Sequence, residues 1–117
     1  MTQTTLYKST NYRNRLIMTC VRIFENGFSV KGHSTVNSED LEGKLVCASI
    51  SSATYFVANT ITDVIGAKAD IKEKDGEFYL LVKKPCDKTK TVLDGFKLHL
   101  LGLEEQYKNR IKVYVEV

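Results

Sequence analysis

Two stretches of helical periodicity, each preceded by a pair of short strand-like segments joined at a turn, constrain the fold of this chain most. Val46, Ile50, Ala53, Val57, Ile61 and Val64 recur every three or four positions, the spacing that lines one face of an α-helix. A second stripe, Val92, Phe96, Leu100, Leu103 and Tyr107, predicts a helix from about Lys88 to Lys108, with Lys97, Glu104 and Glu105 turned outward. Ahead of the first helix, Ile17 to Phe24 puts Thr19, Val21 and Ile23 on one strand face and Met18, Cys20 and Phe24 on the other. Glu25-Asn26-Gly27 is a turn signal, because Asn-Gly tolerates positive φ, and Phe28 to Lys31 returns as a second strand. Between the helices, strands over Lys68–Lys74 and Phe78–Lys84 flank an Asp75-Gly76 turn, and Gly66 is placed to cap the first helix. Ile111 to Glu116 closes the chain as an alternating strand. The order ββαββαβ predicts a single α+β domain, a five-stranded, mainly antiparallel sheet with two long helices.

Length allows one core and no more: 117 residues at 43% hydrophobic content suit a single compact unit. Residues 1–16 read as a disordered tail and residues 17–117 as the domain. The tail is rich in Thr, Ser and Asn and holds Lys8, Arg13 and Arg15 with no acid, which superficially resembles a transit peptide. A start of translation at Met18 is a third reading of the same segment. The net charge of +3 resides there: 17 basic groups less these three leave 14, against 14 acidic ones. A balanced body argues against direct nucleic-acid binding, and RNA contact through the basic tail is the weaker reading. No apolar run approaches the roughly 20 residues of a membrane span, so no membrane partner is expected.

Cys20, Cys47 and Cys86 form neither a metal-binding spacing nor an even disulfide framework. With only His33 and His99 beside them, neither a metal nor another cofactor is expected, and a reduced, cytoplasmic setting follows. Cys20 sits in a strand as a small buried thiol, and Cys86, after Pro85, carries no signal of its own.

The chemistry lies in Gly32-His33-Ser34 and Val46-Cys47-Ala48-Ser49-Ile50-Ser51. A histidine at a strand end and a cysteine in the first turn of a helix, separated by a polar, acidic connection from Thr35 to Gly43, are minimum equipment for nucleophilic catalysis by sulfur. Unpaired N–H groups at a helix start favour a thiolate and could receive an oxyanion. Lys44 adds a positive charge if it shares the face. The plain reading stands beside this one: a cysteine in an apolar helix is commonly buried and inert, and a strand-end histidine commonly structural.

These segments resemble the signature of the ribosomal-processing cysteine protease family, Prp, in which Gly-His-Ala is followed by a Val-Cys-Ala-(small)-x-Ser helix start. Gly27, Gly76-Glu77-Phe78-Tyr79-Leu80, Leu103-Glu104-Glu105-Gln106-Tyr107 and Ile111-Lys112-Val113 extend the resemblance over residues 17–117. Ser34 stands where alanine is usual, the histidine-to-cysteine spacing is longer, and Lys44 replaces an acid, leaving Glu39, Asp40 and Glu42 as the acids of that loop. The resemblance implies a cytoplasmic, homodimeric cysteine endopeptidase that removes the N-terminal extension of large-subunit ribosomal protein L27 after aromatic residues. It implies His33 as general base and Cys47 as nucleophile, with Ser34, Thr35, Ala48 and Ser51 contacting the peptide. Thr35 to Lys44 would be a gating loop. The alternative is a non-catalytic peptide-binding or ribosome-assembly protein of the same fold.

Overall fold

The computed structural model describes residues 18–116; the tail expected over residues 1–16 lies outside them. Seven elements follow in the predicted order: β1 (Thr19–Phe24), β2 (Gly27–Lys31), α1 (Leu41–Asn59), β3 (Ala69–Lys74), β4 (Glu77–Val82), α2 (Asp87–Gln106) and β5 (Ile111–Val115). The strands form one sheet in the spatial order β3-β4-β2-β1-β5. Three pairings are antiparallel and one, β1 with β5, is parallel. Both helices cover one face of the sheet, which makes a two-layer α+β domain.

Alternation decides which strand residues meet the helices. Val21, Ile23, Phe28, Leu80, Val82, Ile111 and Val113 are buried on the inner face, where Val46, Ile50 and Ile61 from α1 and its extension and Leu93, Phe96 and Leu100 from α2 pack on them. Phe28 stands at the centre, its ring 4.4 Å from that of Phe96 and 5.9 Å from that of Phe78. Leu93 and Thr89, both buried, lie outside the predicted stripe of α2. The outer face carries Arg22 over the Tyr114 ring at 4.9 Å and a Phe24–Tyr79 contact.

Four local expectations change. The turn of the first hairpin is Glu25-Asn26, and Gly27 already belongs to β2, without a positive φ. Glycine is needed at 27 because a Cβ there would collide with the carbonyl of Leu80 on β4. Val64 is 79% exposed rather than part of the buried stripe. Thr60–Val64 form a π-helical turn, with the Ile65 N–H donating to the Thr60 carbonyl; the extra residue in the turn leaves Ile61 in the core and Val64 rotated outward. Glu104 does not face outward; its carboxylate accepts the Val113 N–H at 2.8 Å and covers the edge strand β5. Finally, the helical run Leu41–Val64 is long and apolar enough, by length and composition, to cross a membrane. In this fold it is the core helix.

Candidate active site

The site is assembled where the end of β2, the start of α1 and the β3–β4 turn converge. Gly32 has φ +95°, a region that L side chains rarely adopt, and donates its N–H to the Gly76 carbonyl at 2.8 Å. A Cβ at Gly32 would come within 2.8 Å of the Met18 carbonyl oxygen, so only glycine lets the chain leave the sheet here. His33 follows, exposed, with its imidazole laid against the turn: a Cβ at Gly76 would lie 3.0 Å from His33 Nε2.

Helix α1 begins earlier than expected. Asp40 is its N-cap, with Oδ1 accepting the Gly43 N–H at 3.1 Å and Oδ2 accepting the Val36 N–H at 2.9 Å. Glu42, Gly43 and Lys44 are therefore helical, and the connection runs only from Gly32 to Asp40. Cys47 is the seventh residue of a helix that starts at Leu41, not a first-turn residue. The helix-start N–H groups expected to face its sulfur are a turn too far back. The loop supplies a donor instead: the Ser34 N–H reaches Cys47 Sγ at 3.1 Å, and the Thr35 hydroxyl shares a hydrogen bond with the sulfur at 3.4 Å.

His33 and Cys47 line one groove of about 440 Å³, together with Ser51, Thr54, Tyr55 and Phe78. No hydrogen bond links the two side chains among the described residues. Of the four residues expected to contact a peptide, Ser51 lines this groove and Thr35 touches the sulfur. Ser34 is fully buried; its hydroxyl donates to the Arg110 carbonyl at 2.6 Å and meets Thr19 Oγ1 at 2.7 Å. What Ser34 presents to the sulfur is its N–H. Ala48 lies on the opposite side, in a second groove between α1 and α2 that also includes Phe56 and His99.

Arg110, just before β5, is the site residue that sequence reasoning missed. Its guanidinium donates to the Ser34 carbonyl at 2.7 Å, to both Asp40 oxygens at 2.7 and 2.9 Å, and to Glu42 at 3.2 Å. Hydrogen bonds from the Val36 and Gly43 amides, then from Arg110, hold the Asp40 carboxyl below its ordinary range. Burial alone would lower the Arg110 guanidinium, but hydrogen bonds to Asp40 and Glu42 raise it instead. The acids Asp40 and Glu42, noted as available to the loop, thus serve its geometry through this arginine.

The far wall of the groove is polar. Glu73 accepts the Tyr55 hydroxyl, which holds that phenol above its usual range. Glu77, bonded by Lys74 and Lys31, is held low. On the floor, the buried Thr54 hydroxyl has no partner among the described residues.

A family model described as cysteine protease Prp matches residues 18–112. This chain belongs to the Prp cysteine protease family. Its fold agrees with solved structures of that family. One is the ribosomal processing protease Prp from S. aureus with a covalently linked product peptide: 22% identity, TM-score 0.74, covering 85% of this chain and 100% of that one. The same protease with a substrate peptide matches at 20% identity and TM-score 0.75 over the same shares. A protein from Streptococcus mutans matches at 15% identity and TM-score 0.69, covering 87% of this chain and 97% of that one. No curated protein matches the chain.

Proposed function

We propose that this member of the Prp family is a cytoplasmic endopeptidase that removes the N-terminal extension of large-subunit ribosomal protein L27, with Cys47 as nucleophile and His33 as its acid–base partner. The observation that carries this reading is the setting of Cys47: a half-buried sulfur at the wall of an open groove, receiving the Ser34 N–H at 3.1 Å, with the His33 imidazole lining the same groove. A thiol that served packing alone would be enclosed by apolar side chains; this one faces hydrogen-bond donors and solvent space.

The chemistry follows from these groups. His33 takes the thiol proton, and the Cys47 thiolate attacks the scissile carbonyl to form the C–S bond. As the tetrahedral intermediate collapses, the C–N bond breaks and the imidazolium protonates the leaving amine. Water, deprotonated by His33, then hydrolyses the thioester, releasing the carboxylate and restoring the thiol. The extended backbone of a peptide fits the groove between α1 and the β3–β4 hairpin, and Tyr55 and Phe78 offer aromatic contacts to a substrate side chain. The chain acts as a homodimer in this reading; exposed Leu41, Leu45, Phe56 and Leu98 on the helical layer are the apolar surface that supports it.

The test is mass spectrometry of a peptide that copies the L27 extension, incubated with the purified protein. Cleavage by the wild type and none by Cys47→Ala is the expected result. Binding with the peptide mass unchanged would instead favour the non-catalytic peptide-binding reading. RNA contact through residues 1–16 concerns a segment outside the described residues, and RNA affinity before and after its deletion decides it.

A further inference from the structure

We infer that Arg110 is a positioning residue for the reactive sulfur: it fixes Ser34 by its carbonyl and its hydroxyl so that the N–H of Ser34 points at Cys47 Sγ. Its catalytic half rests on the protease reading above; its effect on thiol reactivity does not.

A nine-residue connection, Gly32 to Asp40, has no regular structure, so its backbone needs external anchors to hold one geometry. Ser34 has anchors on every side. Its hydroxyl is fixed by the Arg110 carbonyl and Thr19, and its carbonyl by the Arg110 guanidinium. Main chain and side chain of a single residue thus grip the same serine. The N–H is then the only polar group of Ser34 left to the site, and it meets the sulfur at 3.1 Å.

The second half of the grip sets the distance between loop and helix. Arg110 binds Asp40 through two parallel N–H···O bonds, and Asp40 is the residue that caps the helix carrying Cys47. One planar cation therefore ties the donor loop to the nucleophile's helix. The guanidinium and carboxylate are 17% and 10% exposed, which limits competition from water. Arg110 itself is placed by the parallel β1–β5 pairing, in which Thr19 aligns with Ile111 and donates its N–H to the Arg110 carbonyl. The clamp is thus rooted in the sheet and not in the loop it holds. A lysine keeps the charge yet cannot span the Ser34 carbonyl and both Asp40 oxygens at once.

Arg110→Lys separates geometry from charge. Iodoacetamide labelling at neutral pH, with the Cys47 peptide quantified by mass spectrometry, reads the sulfur directly and needs no substrate. Cys47 in Arg110→Lys should label about tenfold more slowly than wild type, because the thiolate loses a fixed donor. On the L27-extension peptide, kcat should fall roughly tenfold to a hundredfold while KM stays within about twofold. Labelling as fast as wild type, or faster through a loosened loop, in a variant with wild-type melting temperature overturns the inference. If the wild type cleaves nothing, the protease reading fails while the labelling result still decides the clamp. Should Arg110→Lys melt early, labelling well below its melting temperature decides the same question: Cys20 and Cys86 labelling at wild-type rates shows the fold intact, and slowed labelling of Cys47 alone is the expected result.

Discussion

Cys47 and Cys86 both stand near the start of a long helix, and the structure gives them opposite circumstances. Cys86 is the N-cap of α2, where the sequence suggested no role. Its sulfur receives the Thr89 backbone N–H and hydroxyl, which hold the thiol below its ordinary range, and the residue is exposed. Cys47, read from sequence as the helix-start thiol, is a turn and a half inside α1 and takes its donors from a loop thirteen residues away. One thiol is tuned by local geometry that any helix start offers. The other meets a loop distant in sequence and lines a groove that an imidazole also lines. Activation by a helix end is thus no mark of function; convergence of distant groups on one sulfur is the better one.

Catalysis tests that distinction most severely. Under the proposed function, Cys47→Ala should lower cleavage of the L27-extension peptide by about a thousandfold or more, since the proposed thioester forms on that sulfur. Cys86→Ala should leave the rate unchanged. Equal losses in the two variants would erase the contrast. A smaller effect concerns the donors. Thr89→Val removes the hydroxyl beside Cys86 and should slow its labelling at neutral pH by a few-fold, leaving Cys47 untouched. Thr35→Val should do the reverse, slowing Cys47 alone. Site-resolved alkylation followed by peptide mapping checks both.

The same contrast explains what was legible in the sequence. Element order came through because alternation, helical spacing and the Asp75-Gly76 turn are local signals, each contained within a few residues. The His33 and Cys47 segments were legible as a motif. The true start of α1 was not, because Leu41-Glu42-Gly43-Lys44 reads as a polar connection with a glycine in it. Gly43 is buried there, with no room for a Cβ between Asp40 and the Ser34 carbonyl, and the helix extends back because Asp40 caps it. What holds Asp40 is Arg110, seventy residues later. A single arginine between a helix and an edge strand has no pattern to betray it; only the parallel β1–β5 pairing brings it to the site. Likewise Gly27 looked like a turn glycine, and its real constraint, the Leu80 carbonyl, comes from a strand more than fifty residues away.

The smallest expected effect is on acid stability, and it bears on the Cys47 side of the comparison alone. The Asp40 carboxyl is held low in the folded protein by the Val36 and Gly43 amides and by Arg110. A carboxylate with a depressed folded pKa binds its proton more readily when unfolded. Its contribution is therefore complete above the ordinary carboxylate value of about 4 and is lost as pH falls through the lower folded value. Asp40→Asn removes that dependence. Its melting temperature should lie below that of wild type at neutral pH, and the two curves should converge as the pH drops below about 4. No such convergence is expected for Cys86→Ala, since α2 is capped through Thr89 without a carboxylate in that role. Parallel melting curves for Asp40→Asn and wild type down to the acid limit would mean that the loop carrying the Cys47 donors is held by something other than this ion pair.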